Sequence, residues 1–196
     1  RLVGSEMCIR DRAQAGRPPG WLGVPLVLTS HTWENAKNEQ SHQDPTMAEA
    51  LLGEMADISR VVFPPDANGA AAALAHAYAQ RGTVTTLVVP KRPVPHELTP
   101  TQAQALATQG ALCLAGNPAT AAILLVATGA YQLQEVRHAQ VRLVERGVSA
   151  AIVYLAAPAE MRSRILGVLS VCIGTGPIGF VWLGWPPGPP AFHRPG

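Results

Sequence analysis

The chain has 196 residues, a formal net charge of +2, 47% hydrophobic residues and only 14% charged residues. The apolar content is sufficient for a buried core, and the low net charge without a basic run argues against a dedicated nucleic-acid-binding protein. The three cysteines are far apart and form no CxxC pair, so the sequence indicates neither a disulfide framework nor a zinc site and is typical of a reducing, cytoplasmic environment.

The two ends of the chain differ from its middle. Residues 1–12 show neither helical nor strand periodicity and resemble a sequencing artefact, so we exclude them from the predicted fold. Residues 165–185 contain no charged residue, and this length is compatible with a membrane span. Because several glycines and Pro177 interrupt that run, we interpret 159–196 as an out-of-pattern or frameshifted tail and expect no membrane association. A genuine span and a buried hairpin stay open as alternatives.

Residues 21–92 alternate between apolar runs typical of buried strands and segments with helical apolar spacing. Asp44, followed by Pro45, and Asp66 are predicted helix N-caps. The predicted elements are a strand at 24–29, a helix after Pro45 with an apolar face reaching Ile58, a strand at 60–63, a helix at 70–80 and a strand at 83–89.

A proline-rich linker is predicted over residues 93–118, with a short helix begun by a capping box of Thr99 and Gln102. Beyond it, the pattern predicts a strand at 123–127, an amphipathic helix and a strand at 150–155. This βαβ order predicts parallel strands with a right-handed crossover. The fold class is therefore α/β with layered parallel sheets, in two partial domains at 21–92 and 119–158.

The polar loop at 30–45 follows the first predicted strand and contains two His, one Lys, two Asn and two Gln among its residues. Ligands of open α/β sheets bind at the carboxyl ends of strands, which directs attention to this loop and to Lys91 after the third strand. His42 could transfer protons near neutral pH, and the following helix N-terminus favours anions. The alternative is a solvated loop in which Asp44 only caps a helix.

Four segments together resemble a known family: 29–33, 41–45 (Ser-His-Gln-Asp-Pro), 64–68 (Pro-Pro-Asp-Ala-Asn) and 91–93 (Lys-Arg-Pro). They are similar to the thiamine-diphosphate-dependent phosphoketolases, which are transketolase-like enzymes. The resemblance covers residues 21–157. It implies that 21–92 is the latter part of a pyrimidine-binding domain and that 119–158 begins the C-terminal α/β domain.

The resemblance implies a lyase that cleaves xylulose 5-phosphate, fructose 6-phosphate or both with inorganic phosphate, releasing acetyl phosphate and an aldose phosphate. It implies thiamine diphosphate and Mg2+ as cofactors of a longer, cytoplasmic, homo-oligomeric parent. The residue roles that it implies are proton transfer at the reacting carbon by His42, substrate-phosphate binding by Asn38 and Lys91, and lining or bracing of the same pocket by Ser30, His31 and Gln43.

The sequence also departs from the family. Lys37, Glu39 and Gln40 surround Asn38 where the family commonly has His, Gly and Phe, which leaves the preferred ketose open. The chain contains no GDG motif for diphosphate and magnesium, and no glutamate stands at the required place upstream of the loop. We therefore expect this fragment to be inactive alone and to bind no cofactor. The alternatives are another thiamine-dependent transketolase-like enzyme and a non-catalytic α/β binding or membrane-anchored protein.

Overall fold

A computed structural model describes residues 11–12, 14–17, 23–29, 46–54 and 58–158. The helices and strands are β1 (Val24–Leu28), α1 (Thr46–Gly53), β2 (Ser59–Val62), α2 (Ala67–Ala79), β3 (Val84–Val88), α3 (Pro100–Gln109), β4 (Ala111–Ala115), β5 (Ile123–Ala127), α4 (Ala130–Glu145) and β6 (Ala150–Leu155). They alternate along the chain as the predicted α/β class requires.

The first sheet has the order β1-β3-β2, and all of its strands are parallel. Every residue of the central strand β3 is buried, as expected for a parallel sheet covered on both faces. Leu51 of α1 packs with Val88, whereas Ala73 of α2 packs with Leu87. Because neighbouring strand residues point to opposite faces, α1 and α2 cover opposite sides of this sheet.

The second sheet has the order β4-β6-β5. Strands β5 and β6 are parallel, which confirms the prediction for this βαβ unit. Strand β4 pairs antiparallel with β6 and was not predicted, since it lies within the range 93–118 that the sequence assigned to a linker. Its five residues form a short apolar run without alternation, which sequence periodicity cannot assign to a strand. The second sheet is consequently mixed, with an antiparallel strand at one edge.

The predicted start of α3 is confirmed in detail. The Thr99 side chain accepts a hydrogen bond from the Gln102 backbone N–H, and the Gln102 side chain accepts one from the Thr99 backbone N–H. The helix ends at Gly110, which has a φ of 77°. Glycine adopts this left-handed conformation without the steric penalty of a Cβ atom, so it ends the helix and directs the chain into β4.

The boundaries of α1 differ from the prediction. The helix ends at Gly53, whereas the apolar spacing predicted a helical face extending to Ile58. Ile58 instead lies in a turn immediately before β2, where it is 4% exposed and packs against Val84. Its apolar character thus reflects burial under the first sheet and not a continuing helix, since tertiary packing overrides local spacing.

The two sheets share one hydrophobic core. Val62 and Leu87 of the first sheet belong to the same buried cluster as Leu133 and Ile152 of the second unit. The Phe63 backbone N–H also donates to the Ala156 carbonyl oxygen at 2.8 Å. The core therefore lies between the sheets and links the end of β2 to the end of β6.

Tyr154 strengthens this junction from β6. Its buried hydroxyl donates to the Phe63 carbonyl oxygen at 2.7 Å and accepts from the Gly129 backbone N–H at 3.0 Å. Burial raises the pKa of the Tyr154 phenol, so the group stays protonated and available as a donor. One side chain thus connects the end of β2, the start of α4 and the middle of the second sheet.

Several predictions lie outside the described residues. These are the loop at 30–45 with the Asp44 cap, most of segment 1–12, and the tail at 159–196 with its uncharged run. Of the first segment, only residues 11 and 12 are described, and both are helical. Within the described part of the chain, no helix is both long enough and apolar enough to cross a membrane.

Candidate functional site

A cleft of about 520 Å³ opens beside the carboxyl ends of β1 and β3. Its walls are mainly apolar, and representative lining residues are Val27, Ala70, Leu74, Leu87, Val89 and Val94. The position agrees with the rule that parallel α/β sheets present their ligand sites at the carboxyl edge. The cleft is therefore our candidate site.

Four structural elements form the cleft, and the first of them is β1, which contributes Val27. The end of β3 supplies its floor, and the first turns of α2 supply a wall whose alanines, including Ala67, Ala70 and Ala71, leave open space. The opposite wall is the segment after β3, where Pro90 and Pro93 restrict the backbone. This wall is an extended, proline-stiffened connection, which explains why an accessible cleft persists between it and the helix.

The cleft is also lined by polar side chains, which include Asp66, Arg92 and His96. Asp66 is 4% exposed, and its carboxylate accepts hydrogen bonds from backbone N–H groups. Arg92 and His96 are exposed and give the mouth of the cleft basic groups. An apolar cleft with a basic mouth suits a ligand that combines a compact body with an anionic group.

Lys91 is the predicted site residue that the structure describes. It is exposed, and it stands between Pro90 and Arg92, which both line the cleft. This places Lys91 at the carboxyl edge of the first sheet, where the sequence analysis expected it. The other predicted site residues lie outside the described residues: Ser30, His31, Asn38, His42 and Gln43.

Sequence reasoning missed two residues of the cleft. Neither Arg92 nor His96 was singled out by the sequence analysis. Both follow β3 closely in a segment interrupted by Pro93 and Pro95. Basic residues in a stiff connection after a parallel strand are the signal that could have identified them.

A histidine with a shifted pKa lies elsewhere on α2. Burial lowers the pKa of His76, and the positive charge of Arg60 lowers it further. The His76 ring is within hydrogen-bonding distance of the Gln80 side chain, at 3.3 Å between the two nitrogens. His76 lies two positions after Leu74 on α2. Leu74 lines the cleft, whereas His76 does not.

The architecture defines the chain as a transketolase-like α/β structure. A crystal structure of a transketolase variant from Pichia stipitis matches 72% of this chain with a TM-score of 0.58 and 23% identity, which shows the shared fold. A second crystal structure, the Pichia stipitis transketolase in complex with sedoheptulose 7-phosphate, matches 60% of this chain at 26% identity with a TM-score of 0.50. The matches cover 20% and 16% of those chains, respectively.

Sequence comparison specifies the resemblance further. A family model described as D-xylulose 5-phosphate/D-fructose 6-phosphate phosphoketolase matches residues 7–80. A curated relative from Rhizobium meliloti (strain 1021), named Probable phosphoketolase 1, is 39% identical over 83 residues, which are 42% of this chain. These findings confirm the resemblance to phosphoketolases. The chain spans about 10% of the length of that relative.

Proposed function

We propose that this chain is part of a phosphoketolase. The parent enzyme would cleave xylulose 5-phosphate, fructose 6-phosphate or both with inorganic phosphate, giving acetyl phosphate, an aldose phosphate and water. The observation that supports this proposal is the family match over residues 7–80, which includes the loop at 30–45 and the segment at 64–68. The structural counterpart is the cleft at the carboxyl edge of the first sheet.

The proposed residue roles follow the family resemblance. His42 would hold and move a proton at the reacting carbon of the ketose, as an imidazole can near neutral pH. Asn38 and Lys91 would bind the substrate phosphate, with Lys91 acting as a point charge. Ser30, His31 and Gln43 would line or brace the same pocket. The exposed position of Lys91 beside the cleft is compatible with its role.

The family uses thiamine diphosphate with Mg2+, and the described residues fit only part of this cofactor. The apolar walls of the cleft, with Val27 and Leu87, could contact an aromatic ring. In the described part of the chain, no group of three or more His, Cys, Asp or Glu side chains could hold a metal ion. Mg2+ prefers carboxylate oxygens and phosphate, so these residues do not provide a diphosphate–magnesium site. Other parts of the parent would have to supply it.

The test uses the full-length enzyme that we propose for this chain. It should form acetyl phosphate from xylulose 5-phosphate only when inorganic phosphate is present, which a hydroxamate assay detects. The His42→Ala variant should reduce turnover by about 10²-fold or more, because a positioned proton-transfer group is lost. A matched control, His138→Ala on helix α4, should retain activity, because His138 does not line the cleft.

Two results would contradict the phosphoketolase proposal, and a third would contradict the role of His42. Ketol transfer to an aldose, without acetyl phosphate, would identify a transketolase-type enzyme, consistent with the solved structural neighbours. If the enzyme formed neither acetyl phosphate nor a ketol-transfer product, that result would favour a non-catalytic α/β protein. Turnover of the His42→Ala variant within about twofold of wild type would remove His42 from proton transfer.

A further inference from the structure

The Asp66 carboxylate contacts two separate parts of the chain through its two oxygens. Oδ1 accepts a hydrogen bond from the Gly69 backbone N–H at 2.7 Å, which caps α2. Oδ2 accepts from the backbone N–H groups of Glu97 at 2.7 Å and Leu98 at 2.8 Å. The sequence predicts the cap, but the contacts of Oδ2 reach residues 31 and 32 positions away.

Two further contacts hold the same part of the chain. The Asn68 side chain donates to the Leu98 carbonyl oxygen at 2.7 Å. The Glu97 carboxylate pairs with Arg137 of α4, with its Oε2 at 2.9 Å from Nη2 and 3.1 Å from Nε. Leu98 itself is 3% exposed in the shared core. We refer to the contacts of Asp66 and Asn68 with residues 97 and 98 as the Asp66 anchor.

The anchor determines where the wall of the cleft lies. The segment from residue 90 to 98 leaves the sheet after β3 and is fixed again at the anchor. Pro90, Pro93 and Pro95 restrict the backbone between these two ends, both at their own positions and at the residues before them. A short, stiff segment held at both ends has few alternative paths, so the place of Lys91 depends on both attachments.

We propose that Asp66 is a positioning residue that fixes the 90–98 segment and thereby places Lys91 at the carboxyl edge of the first sheet. This inference rests on the proposed function, because it assumes that Lys91 binds the substrate phosphate. The same anchor positions Arg92 and His96 at the mouth of the cleft. Asp66 acts on the substrate through the segment and does not itself contact the phosphate.

The geometry requires a carboxylate and not merely a capping residue. Serine is as good an N-cap as aspartate, and its hydroxyl oxygen can retain the bond from Gly69. It has no second oxygen that could accept from the N–H groups of Glu97 and Leu98. Asp66→Ser therefore preserves the cap of α2 and removes the Asp66 contacts of the anchor.

The experiment compares Asp66→Ser with wild type in the full-length enzyme. Amide hydrogen exchange at residues 97 and 98 should accelerate by about tenfold or more, because each loses a charge-assisted bond. The KM for xylulose 5-phosphate should rise by about tenfold, with kcat within about threefold, since phosphate binding is common to the ground and transition states. In a Lys91→Met background, Asp66→Ser should raise KM by a smaller factor than it does in wild type.

Two other variants separate positioning from general destabilisation. Asn68→Ala removes one contact of the anchor while leaving the Asp66 carboxylate, and it should change exchange and KM in the same direction by a smaller factor. Gln102→Ala disrupts the exposed capping box of α3 and should leave KM unchanged. An equal KM change in Gln102→Ala would overturn the specific role of Asp66.

The proposal is overturned if Lys91→Met raises KM while Asp66→Ser changes neither KM nor exchange at residues 97 and 98. Additive effects of the two substitutions on KM would overturn the link to Lys91. Failure of the proposed function is distinguishable, since it would appear as wild-type enzyme without acetyl phosphate. The exchange measurement requires no activity, so accelerated exchange in that case would support the anchor, and unchanged exchange would overturn it.

Discussion

At the scale of single residues, Lys91 and Arg92 provide adjacent positive charges with different chemistry. The lysine ammonium is a compact point charge, whereas the arginine guanidinium is a planar fork that can bind phosphate through two hydrogen bonds. Both are exposed, and they follow β3 at the mouth of the cleft. Under the proposed function, a sugar phosphate entering the cleft would meet these positive charges before reaching the apolar wall.

Replacing Lys91 with methionine removes the charge and keeps much of the side-chain length. In the full-length enzyme, we expect KM for the sugar phosphate to rise by about tenfold to hundredfold, the loss expected for one charge-assisted contact. The kcat should change less, because the phosphate is remote from the bonds that are broken. Steady-state kinetics with xylulose 5-phosphate measures both constants, and Arg81→Met, an exposed cation before β3, is the control. An unchanged KM in Lys91→Met would assign Lys91 a structural role.

Local chemistry made some residue roles predictable and left others hidden. Asp66 was recognisable as an N-cap because the preference depends on atoms within one helical turn. Its bonds to Glu97 and Leu98 were not predictable, since nothing in either local sequence specifies the pairing. The place of His96 beside the cleft was hidden for the same reason, because it depends on the long-range anchor.

At the scale of helices and strands, Tyr154 connects structures that are distant in sequence. Its hydroxyl contacts the Phe63 carbonyl oxygen after β2 and the Gly129 N–H before α4. The side chain is fully buried, so water cannot replace either bond without opening the core. The hydroxyl thus makes the alignment of the two sheets specific, in addition to their apolar packing.

Removing only this hydroxyl tests that role. Tyr154→Phe should lower the free energy of the opening that exposes the Gly129 amide by about 1–3 kcal/mol, because two buried backbone groups lose their partner. Native-state hydrogen exchange at Gly129 measures this change. Tyr78→Phe is the matched control, since Tyr78 is 61% exposed and should change stability by less than about 0.5 kcal/mol. Equal effects of the two substitutions would show that the Tyr154 hydrogen bonds contribute nothing specific.

Elements defined by local pattern were predicted better than those defined by pairing. The β5-α4-β6 unit was predictable from its alternating apolar runs. The strand predicted at 150–155 begins and ends at the same residues as β6. Strand β4 was missed because its identity depends on pairing with β6, in which Ala111 lies opposite the much later Leu155. The capping box at Thr99 was predicted correctly for the opposite reason, since all of its atoms lie within four residues.

At the scale of the whole molecule, this chain matches only 20% and 16% of the two solved transketolase chains. Within the described residues, β1 pairs with β3 on one side only, and Val27 on this strand is 54% exposed. An unpaired strand edge with exposed apolar side chains is a template for association with other chains. On α4, Val141 and Val144 are also more than half exposed. In the longer enzyme that we propose, these surfaces would contact further parts of the protein.

The final prediction concerns the 196-residue chain by itself. The family holds thiamine diphosphate through a magnesium-bound diphosphate, through a glutamate on the pyrimidine ring and through an apolar wall. The described residues offer the apolar cleft, but no acidic cluster that could hold a metal ion, and the sequence contains no GDG motif. These residues do not provide the other two contacts.

We also expect the purified chain to be poorly soluble or aggregated, because its strand edge and apolar surface are exposed.

Any soluble fraction of the chain should bind no thiamine diphosphate at about millimolar concentration, a weak limit that corresponds to only about 4 kcal/mol of binding free energy. It should also form no acetyl phosphate from xylulose 5-phosphate and inorganic phosphate. Calorimetric titration and a hydroxamate assay measure these two outcomes, with the full-length enzyme as the positive control. Cofactor binding without activity would locate a larger part of the cofactor site in this chain than we assign to it. Acetyl phosphate formation by the chain alone would show that the cleft and the loop at 30–45 suffice for catalysis.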